Sequence, residues 1–506
     1  MPEVNEPHYL AKAKHFWQAD WASRDLFLNS TDAHHVFYWT CGWWTRWLTL
    51  VQTAWLGRCL TLFLLAWSWL RLVRQITIRP GVAPLSALVL LALIEHGHMA
   101  GEWLVGGFEA KGLAYVLVWC GLAQLVRRRW RWVWPLLGLA ASFHVLVGGW
   151  SVVAALFVWL CEGKRRLPLS SMWPWLVIGG LAAAPGLVPA LLMSYGQPPE
   201  MIRDAQKIYV YFRLPHHLYL PAMPAFFVAR FAALTLAWAC LIGVRRTLPP
   251  CQGRMGGRER RLQAFVLGCL LIAMLGALLS LADLAWYRLY QVHLPGAAGL
   301  LRFYWFRLSD IMAPVGLGLS LAIIACRFRT GTSKRGIPWL PVAVSGMLIL
   351  TSLMFSVEKL TAVVWPRPAP ALQGTEQTAL VEWQAACAWA GRETPSDALF
   401  FTPRESRTFR WYADRGEVVS WKDIPQEPQD ILDWQRRLID IHYNRATRRW
   451  FTSLAERSPA DLKRLAERYQ TQYLIAENYP SLRMPVVYRN AAYTIYELSP
   501  VADVPR

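Results

Sequence analysis

The amino-acid sequence predicts a mainly α, polytopic transmembrane helical bundle of about ten spans, followed by a C-terminal α/β domain outside the cytoplasm. Three observations predict it. Apolar runs recur at lengths suited to a hydrocarbon core ~30 Å thick, in a chain of 506 residues with 55% hydrophobic content and a mean hydropathy of +0.24. Short, strongly basic loops punctuate those runs. Past residue 356 the hydropathy falls and the charges balance, with 20 Lys and Arg against 19 Asp and Glu.

Residues 1–52 read as an outer N-terminal loop segment. Ten spans follow, at 53–70, 82–94, 112–126, 132–147, 148–162, 173–193, 222–244, 262–282, 311–326 and 337–356. Many of the 29 tryptophans flank them, where the ring meets lipid and the N–H finds water. The short runs 82–94 and 112–126 require extension past these limits, tilt or a re-entrant path. Five loops, Arg71 to Arg79, Arg127 to Arg131, Lys164 to Arg166, Arg245 to Arg261 and Arg327 to Arg335, hold 20 Lys and Arg. With the accompanying acids Glu162 and Glu259 they carry +18 of the net +20. Such loops stay in the cytoplasm because translocating them is unfavourable. Starting with 1–52 outside and crossing at each span puts all five inside. The segments 95–111, 195–221, 283–310 and everything after 356 then fall outside. A first helix is expected ahead of Met1, since residues 1–52 start outside with no span before them.

The tail, 357–506, opens on a Pro-rich linker, Trp365 to Pro370. Beyond it, apolar strands (Ala398–Phe401, Val418–Trp421, Tyr473–Ala476, Tyr493–Leu498) alternate with amphipathic helices (Ala379–Ala390, Gln429–His442, Ala460–Tyr469). Ser458 and Asp461 read as a capping box for the last helix. The positive charge reports topology and excludes nucleic acid as a partner. Nine scattered cysteines form no CxxC and no paired framework; six lie in or at apolar runs as small hydrophobes.

The chemistry-bearing residues collect on one face. Ten of the eleven histidines lie in outer segments or at outer span ends, and His442 lies in the tail. The first constellation is Asn5-Glu6-Pro7-His8-Tyr9-Leu10 with Asp20, Asp25, Asp32, His34 and His35, in which an acid beside aromatics suits a general base or a metal–phosphate pair. Asp32-x-His34-His35 has ligand types without a fixed geometry. The second is Glu95-His96-Gly97-His98 with Glu102, then Phe108-Glu109-Ala110-Lys111; ionisable groups near membrane depth are costly and usually enclosed in a site. The third is Arg213-x-Pro215-His216-His217, and the fourth Arg302 to Arg307 with Asp310. Arginine among aromatics suits a phosphate and a sugar face, while interfacial anchoring by snorkelling is the bland alternative. Arg58 and Arg230 lie inside spans and need buried partners. Gly148-Gly149 after His144 reads as a close helix approach.

From Asn5 to Leu10 onward the order of features resembles the GT-C superfamily of lipid-linked-sugar glycosyltransferases, which place an acid-bearing loop after their first span. Phe108 to Lys111, Phe143-His144, Arg213 to His217, Arg302 to Asp310 and Trp411-Tyr412 to Trp421-Lys422 are more closely similar to uncharacterised bacterial membrane proteins with a domain of unknown function. The GT-C resemblance implies a bacterial inner-membrane protein, a polyprenyl-phosphate sugar donor drawn from membrane lipid, and sugar transfer at the outer face. Glu6 would match the loop acid, as general base or as a holder of a divalent metal such as Mg or Mn. His8, Tyr9, His34, Glu109, Arg213, His216, His217, Arg302, Arg307 and Asp310 complete the expected substrate-binding set. The sequence departs from the superfamily in the missing first span and in Asn-Glu where paired acids are common. The rival expectations are a lipid-linked-sugar or small-solute transporter or flippase, which needs polar groups at mid-membrane, and a non-catalytic protein of the cell envelope.

Overall fold

A computed structural model describes the chain except for residues 78, 80, 248–253, 327–339, 365–374 and 499–506. The Pro-rich linker and the loop Arg327 to Arg335 lie outside the described residues, as does part of the Arg245 to Arg261 loop.

The N-terminal segment is not a loop. It folds as α1 (Glu6–Trp17), α2 (Leu26–Asn29) and α3 (His35–Thr40). Asp25 caps α2 by accepting from Leu28 N at 3.1 Å, and Leu10, Ala13 and Phe37 are buried against Phe108 and Leu113. The apolar face of α1 therefore has a bundle to cover, which holds the segment in place.

Each of the ten expected spans falls on a helix: α4 (Leu50–Val73), α5 (Val82–Gly97), α6 (Ala110–Leu125), α7 (Trp130–Phe143), α8 (Val145–Cys161), α9 (Leu169–Leu192), and, past α10 (Pro199–Lys207) and α11 (Pro215–Leu218), α12 (Ala225–Thr247), α13 (Arg254–Tyr290), then, past α14 (Ala297–Leu301), α15 (Arg307–Cys326) and α16 (Leu340–Val364). Six of them, α4, α9, α12, α13, α15 and α16, are long and apolar enough to cross a membrane. The other four run 14 to 17 residues. Sixteen residues rise ~24 Å at ~1.5 Å each, short of a ~30 Å core.

The helices sort by what they bury. α15 is almost wholly enclosed, packed against α5, α12, α13 and α16. By contrast α9, α12 and α16 turn most of their apolar surface outward, with Leu181, Leu191, Leu236 and Leu360 exposed. An apolar surface of that extent on the outside of a helical bundle is suited to lipid. α7 and α8 break at His144, whose side chain accepts from Val147 N at 3.4 Å and so caps α8. Only the first glycine of the Gly148-Gly149 pair is at a close approach. A Cβ on Gly148 would lie 2.1 Å from Ala141 N, whereas one on Gly149 would meet nothing.

The C-terminal unit is α/β. Its helices are α17 (Thr375–Glu393), α18 (Phe409–Ala413), α19 (Pro428–His442) and α20 (Pro459–Tyr469). Its strands are β1 (Leu399–Phe401), β2 (Gly416–Glu417), β3 (Tyr443–Asn444), β4 (Arg449–Trp450), β5 (Tyr473–Glu477), β6 (Val486–Arg489) and β7 (Tyr493–Glu497). Five of them form a mixed sheet in the order β2-β1-β5-β7-β6, with β2 and β5 parallel to β1 and with β5–β7 and β6–β7 antiparallel. The expected strand Val418–Trp421 is not one. Val418 N still bonds Phe400 O at 3.0 Å, and the chain then leaves the sheet edge. Ser458 accepts from Asp461 N at 3.1 Å, but the Asp461 carboxylate pairs with Arg464 instead of returning to the cap, so the box is half formed.

Candidate functional site

Arg307 and Asp310 stand one turn apart at the start of α15, the enclosed helix. The Asp310 carboxylate, fully buried, accepts from Met99 N at 3.0 Å, Ala100 N at 2.8 Å and Glu102 N at 3.4 Å. Three backbone donors on one carboxylate fold the 98–109 segment over the end of the bundle. That fold brings Glu102 to Arg307, whose Nε donates to Glu102 Oε2 at 3.0 Å. Arg307 Nη1 lies 3.0 Å from His144 Nε2. The guanidinium also covers the Tyr304 ring at 3.9 Å.

Glu102 and Glu109 share Lys111. Its Nζ is 3.4 Å from Glu102 Oε1 and 3.5 Å from Glu109 Oε2, above the Trp103 ring at 3.7 Å. Asn5 Nδ2 donates to Glu109 Oε2 at 3.3 Å. The other Glu109 oxygen, Oε1, is buried without a hydrogen-bond partner. An unpartnered buried carboxylate oxygen is costly and is found at sites more than in plain cores. Tyr9 sits in the same electrostatic neighbourhood; burial and then Glu109 push its phenol above the ordinary range. Its ring is 5.0 Å from that of His34, which lies 5.5 Å from that of His144. Burial holds His34 below its ordinary value, against the pull of Asp32.

The outer rim comes from α11 and the C-terminal unit. His217 Nδ1 donates to Ala100 O at 2.5 Å, and the His216 ring is 4.1 Å away. Burial and His216 pull His217 down to about 3, so it is neutral with Nε2 free to accept. Gly101 makes this approach possible: its φ is +73°, and a Cβ there would lie 2.9 Å from His217 Cε1. Arg213 does not reach toward an open anion site. Its Nε donates to Trp421 O at 2.7 Å and its Nη2 to Lys422 O at 3.1 Å. It therefore pins the chain past β2, at Trp421 and Lys422. Burial lowers the Lys422 ammonium; Asp423 opposes this, Arg213 and Arg407 add to it, and Glu109 is within its field.

His8 serves the seam between the two units. Its Nδ1 is 2.9 Å from Asp423 Oδ1. Asp423 also takes Arg410 Nη1 at 2.5 Å, and Arg410 pairs in addition with Asp25 at 2.6 Å and Glu417 at 3.1 Å. Glu417 accepts from Thr402 and Ser406 at 2.6 and 2.7 Å. Burial pushes its carboxyl up to about 7 while Arg410 pulls down, with Asp25 adding to the rise. One guanidinium thus joins the N-terminal helices to the C-terminal sheet.

Glu6 occupies a different kind of place. It is fully buried; Arg58 Nε donates to Oε1 at 2.7 Å and Arg58 Nη2 to Oε2, while Phe108 N at 2.8 Å and Glu3 N at 2.8 Å fill the remaining positions. A general base needs an oxygen open to the proton it takes. Glu6 has the environment of an anchor, fastening α1 to α4 and to the loop that carries Glu109. Arg302 stands over the Phe303 ring at 5.5 Å, with Tyr209 in its field; Tyr209 in turn meets Tyr304 at 3.2 Å between hydroxyls. Glu95 and His96 pair with Lys359 and Glu358 of α16 and stay out of the cluster.

Among the described residues no group of three or more His, Cys, Asp and Glu is placed to hold a metal ion. Asp32 is taken by Tyr38 at 2.6 Å, His34 N at 2.8 Å and Lys12 at 3.4 Å, which leaves the Asp32-x-His34-His35 spacing without a ligand set. The Mg or Mn expectation finds no such site here.

Residues 381–441 match a family described as a domain of unknown function (DUF6798). The match runs from α17 through α19 and takes in Arg410, Glu417, Lys422 and Asp423. No curated protein matches the chain. The similarity thus falls on the part of the C-terminal unit that grips the N-terminal helices and presents Lys422.

Proposed function

We propose that the chain is a GT-C-like glycosyltransferase of the bacterial inner membrane, transferring a sugar from a polyprenyl-phosphate donor at the outer face, where its C-terminal domain lies. All ten helices of the bundle cross or enter the bilayer in this reading. The observation that carries it is Glu109. Its carboxylate has one buried oxygen without a partner, between Lys111 and the field of Lys422, at the seam of bundle and C-terminal unit.

In this reading Glu109, rather than Glu6, takes the proton from an acceptor hydroxyl. The hydroxyl oxygen bonds to the anomeric carbon of the donor sugar as the bond from that carbon to the phosphate oxygen breaks, and the lipid phosphate leaves with the electron pair. Lys422 is the cation we assign to the leaving charge, because Arg213 is engaged with carbonyls, Arg307 with Glu102, and Lys111 with Glu102 and Glu109. Neutral His217, with Nε2 free, accepts from a sugar hydroxyl, and the Tyr9 and Tyr304 rings supply apolar faces for the donor.

The test is release of polyprenyl phosphate from a polyprenyl-phosphate sugar by the purified full chain in lipid. Glu109→Gln is expected to lower turnover by about 10²-fold or more, the range for losing a positioned base. Glu6→Gln is expected to lower stability and to leave turnover per folded molecule within a few-fold. Full activity of Glu109→Gln beside an inactive, folded Glu6→Gln would return the base role to Glu6 and refute this assignment.

A further inference from the structure

At the opposite end of α6 from Lys111 a cavity of ≈ 950 Å³ opens between the α6–α7 turn, the end of α8 and the start of α13. Seven arginines and one lysine line it, against one acid, Glu162. The basic loops that set topology need number alone. They do not need their guanidinium groups to converge on one hollow, nor to be held there.

Here several are held. Arg128 Nε is 3.0 Å from Glu162 Oε1, and its Nη2 bonds Arg165 O. Arg261 Nε donates to Val126 O at 2.9 Å, and Arg258 Nη1 to Gln75 O at 2.9 Å. Arg128 adopts φ +61°, a left-handed conformation that costs a non-glycine residue about 1 kcal/mol or more. The tight turn it makes sets Arg127, Arg128 and Arg129 around one rim. Glu162, the one acid in the lining, is shared by Arg128 and Arg261.

A second cleft of ≈ 280 Å³ shares Arg128 and Arg129 with the first and continues between Trp130, Trp175, Leu167 and Met172. Fixed cations leading into an aromatic and aliphatic cleft match a ligand with a multiply charged head and an apolar body. Several guanidinium groups favour phosphate oxygens, which they grip in pairs. We propose that this cavity binds the headgroup of a membrane lipid carrying two or more phosphates, taken from the leaflet on the basic side. The site is separate from the junction around Glu109 and does not depend on how that junction is used.

The test measures binding of cardiolipin, a lipid with two phosphates, to the full chain in phosphatidylcholine nanodiscs. Phosphatidylglycerol at equal total charge is the comparison, and soluble pyrophosphate the competitor. Cardiolipin is expected to bind more tightly than phosphatidylglycerol. The triple variant Arg127→Gln, Arg129→Gln and Arg260→Gln is expected to lose roughly 10²-fold, at a contribution of about one basic residue's attraction per charge removed. Arg71→Gln, Arg74→Gln and Arg166→Gln remove the same charge from outside the cavity and are expected to leave binding unchanged. Arg129→Gln alone is expected to lose several-fold, which keeps the test readable if the triple variant does not insert. Displacement by pyrophosphate would support a phosphate site and extend it to soluble ligands. Equal binding of the two lipids at matched charge, or equal loss in the two triple variants, would overturn the proposal.

Discussion

Replacing Arg410 by Met removes the one guanidinium shared by Asp25, Glu417 and Asp423. Arg410 is 4% exposed and those three acids are at most 2% exposed, so solvent cannot take over its role. Deleting one partner of a buried ion pair costs ~3–5 kcal/mol because the remaining charge is stranded. Two features limit the loss. Glu417 is already pushed up to about 7 and takes a proton first, and Asp423 keeps His8 at 2.9 Å. The lower end, ~3 kcal/mol, is therefore the expected figure, a factor of about 10² in local opening. Amide hydrogen exchange of α1, α2 and β2 reads it directly, since these elements meet at the cluster. Protection there should fall by about two orders of magnitude in Arg410→Met, while α15 is unaffected. Adding Asp25→Asn and Glu417→Gln to that variant should restore part of it. Unchanged protection in the single variant, or no recovery in the combined one, would refute the claim that this cluster holds the N-terminal helices to the C-terminal unit.

Helix packing gives a paired prediction. Gly148→Val should destabilise the bundle by about 1–3 kcal/mol through overpacking against Ala141, and Gly149→Val should be nearly neutral; thermal unfolding in detergent compares them. The pH dependence of stability offers another. His217 and His442 are each held near 3, below their unfolded value, so their contribution is present above about 6.5 and is lost as pH falls toward the folded value. Glu417, raised to about 7, acts in the other direction: its contribution is present below about 4.5 and lost as pH rises through 7. Between those limits folding binds one proton at Glu417, so Glu417→Gln should steepen the rise of stability with pH by about one proton, ~1.4 kcal/mol per pH unit. An unchanged slope from pH 5 to 6.5 would show that Glu417 is ionised in the folded protein.

Hydropathy located all ten helices of the bundle, because burial in lipid or against other helices demands the same long apolar runs. It trimmed α15, however, beginning the span at 311 and leaving out Arg307 and Asp310, which are in fact its first turn. Their charges are compensated by Glu102 and by the 99–102 backbone, some two hundred positions away, and no local pattern carries that. The same holds for His8, a histidine expected on the outer face, whose partner Asp423 lies 415 residues on. Glu6 and Glu109 were both seen, yet composition alone does not distinguish an acid saturated by Arg58 from one with an unpartnered oxygen. Lys422 stood in the segment picked out by resemblance but was not singled out, nor was Arg410. The strand near the expected Val418–Trp421 lies directly before that range, at Gly416–Glu417, because Glu417 pairs with Arg410 and the following residues peel away to meet Arg213. The strand β6 was not expected: its side chains are intermediate to exposed, and a bulge interrupts its register with β7.

Sidedness is the claim on which the proposed site depends. Single cysteines introduced by Lys164→Cys and Tyr479→Cys, in a background with the nine native cysteines replaced by serine, can be labelled in intact cells by a maleimide that does not cross the inner membrane. Both native side chains lie in exposed surface loops. The account predicts prompt labelling at position 479, and labelling at position 164 only after the membrane is permeabilised. Labelling of both in intact cells, or of position 164 alone, would contradict it and remove the outer-face site built around Glu109.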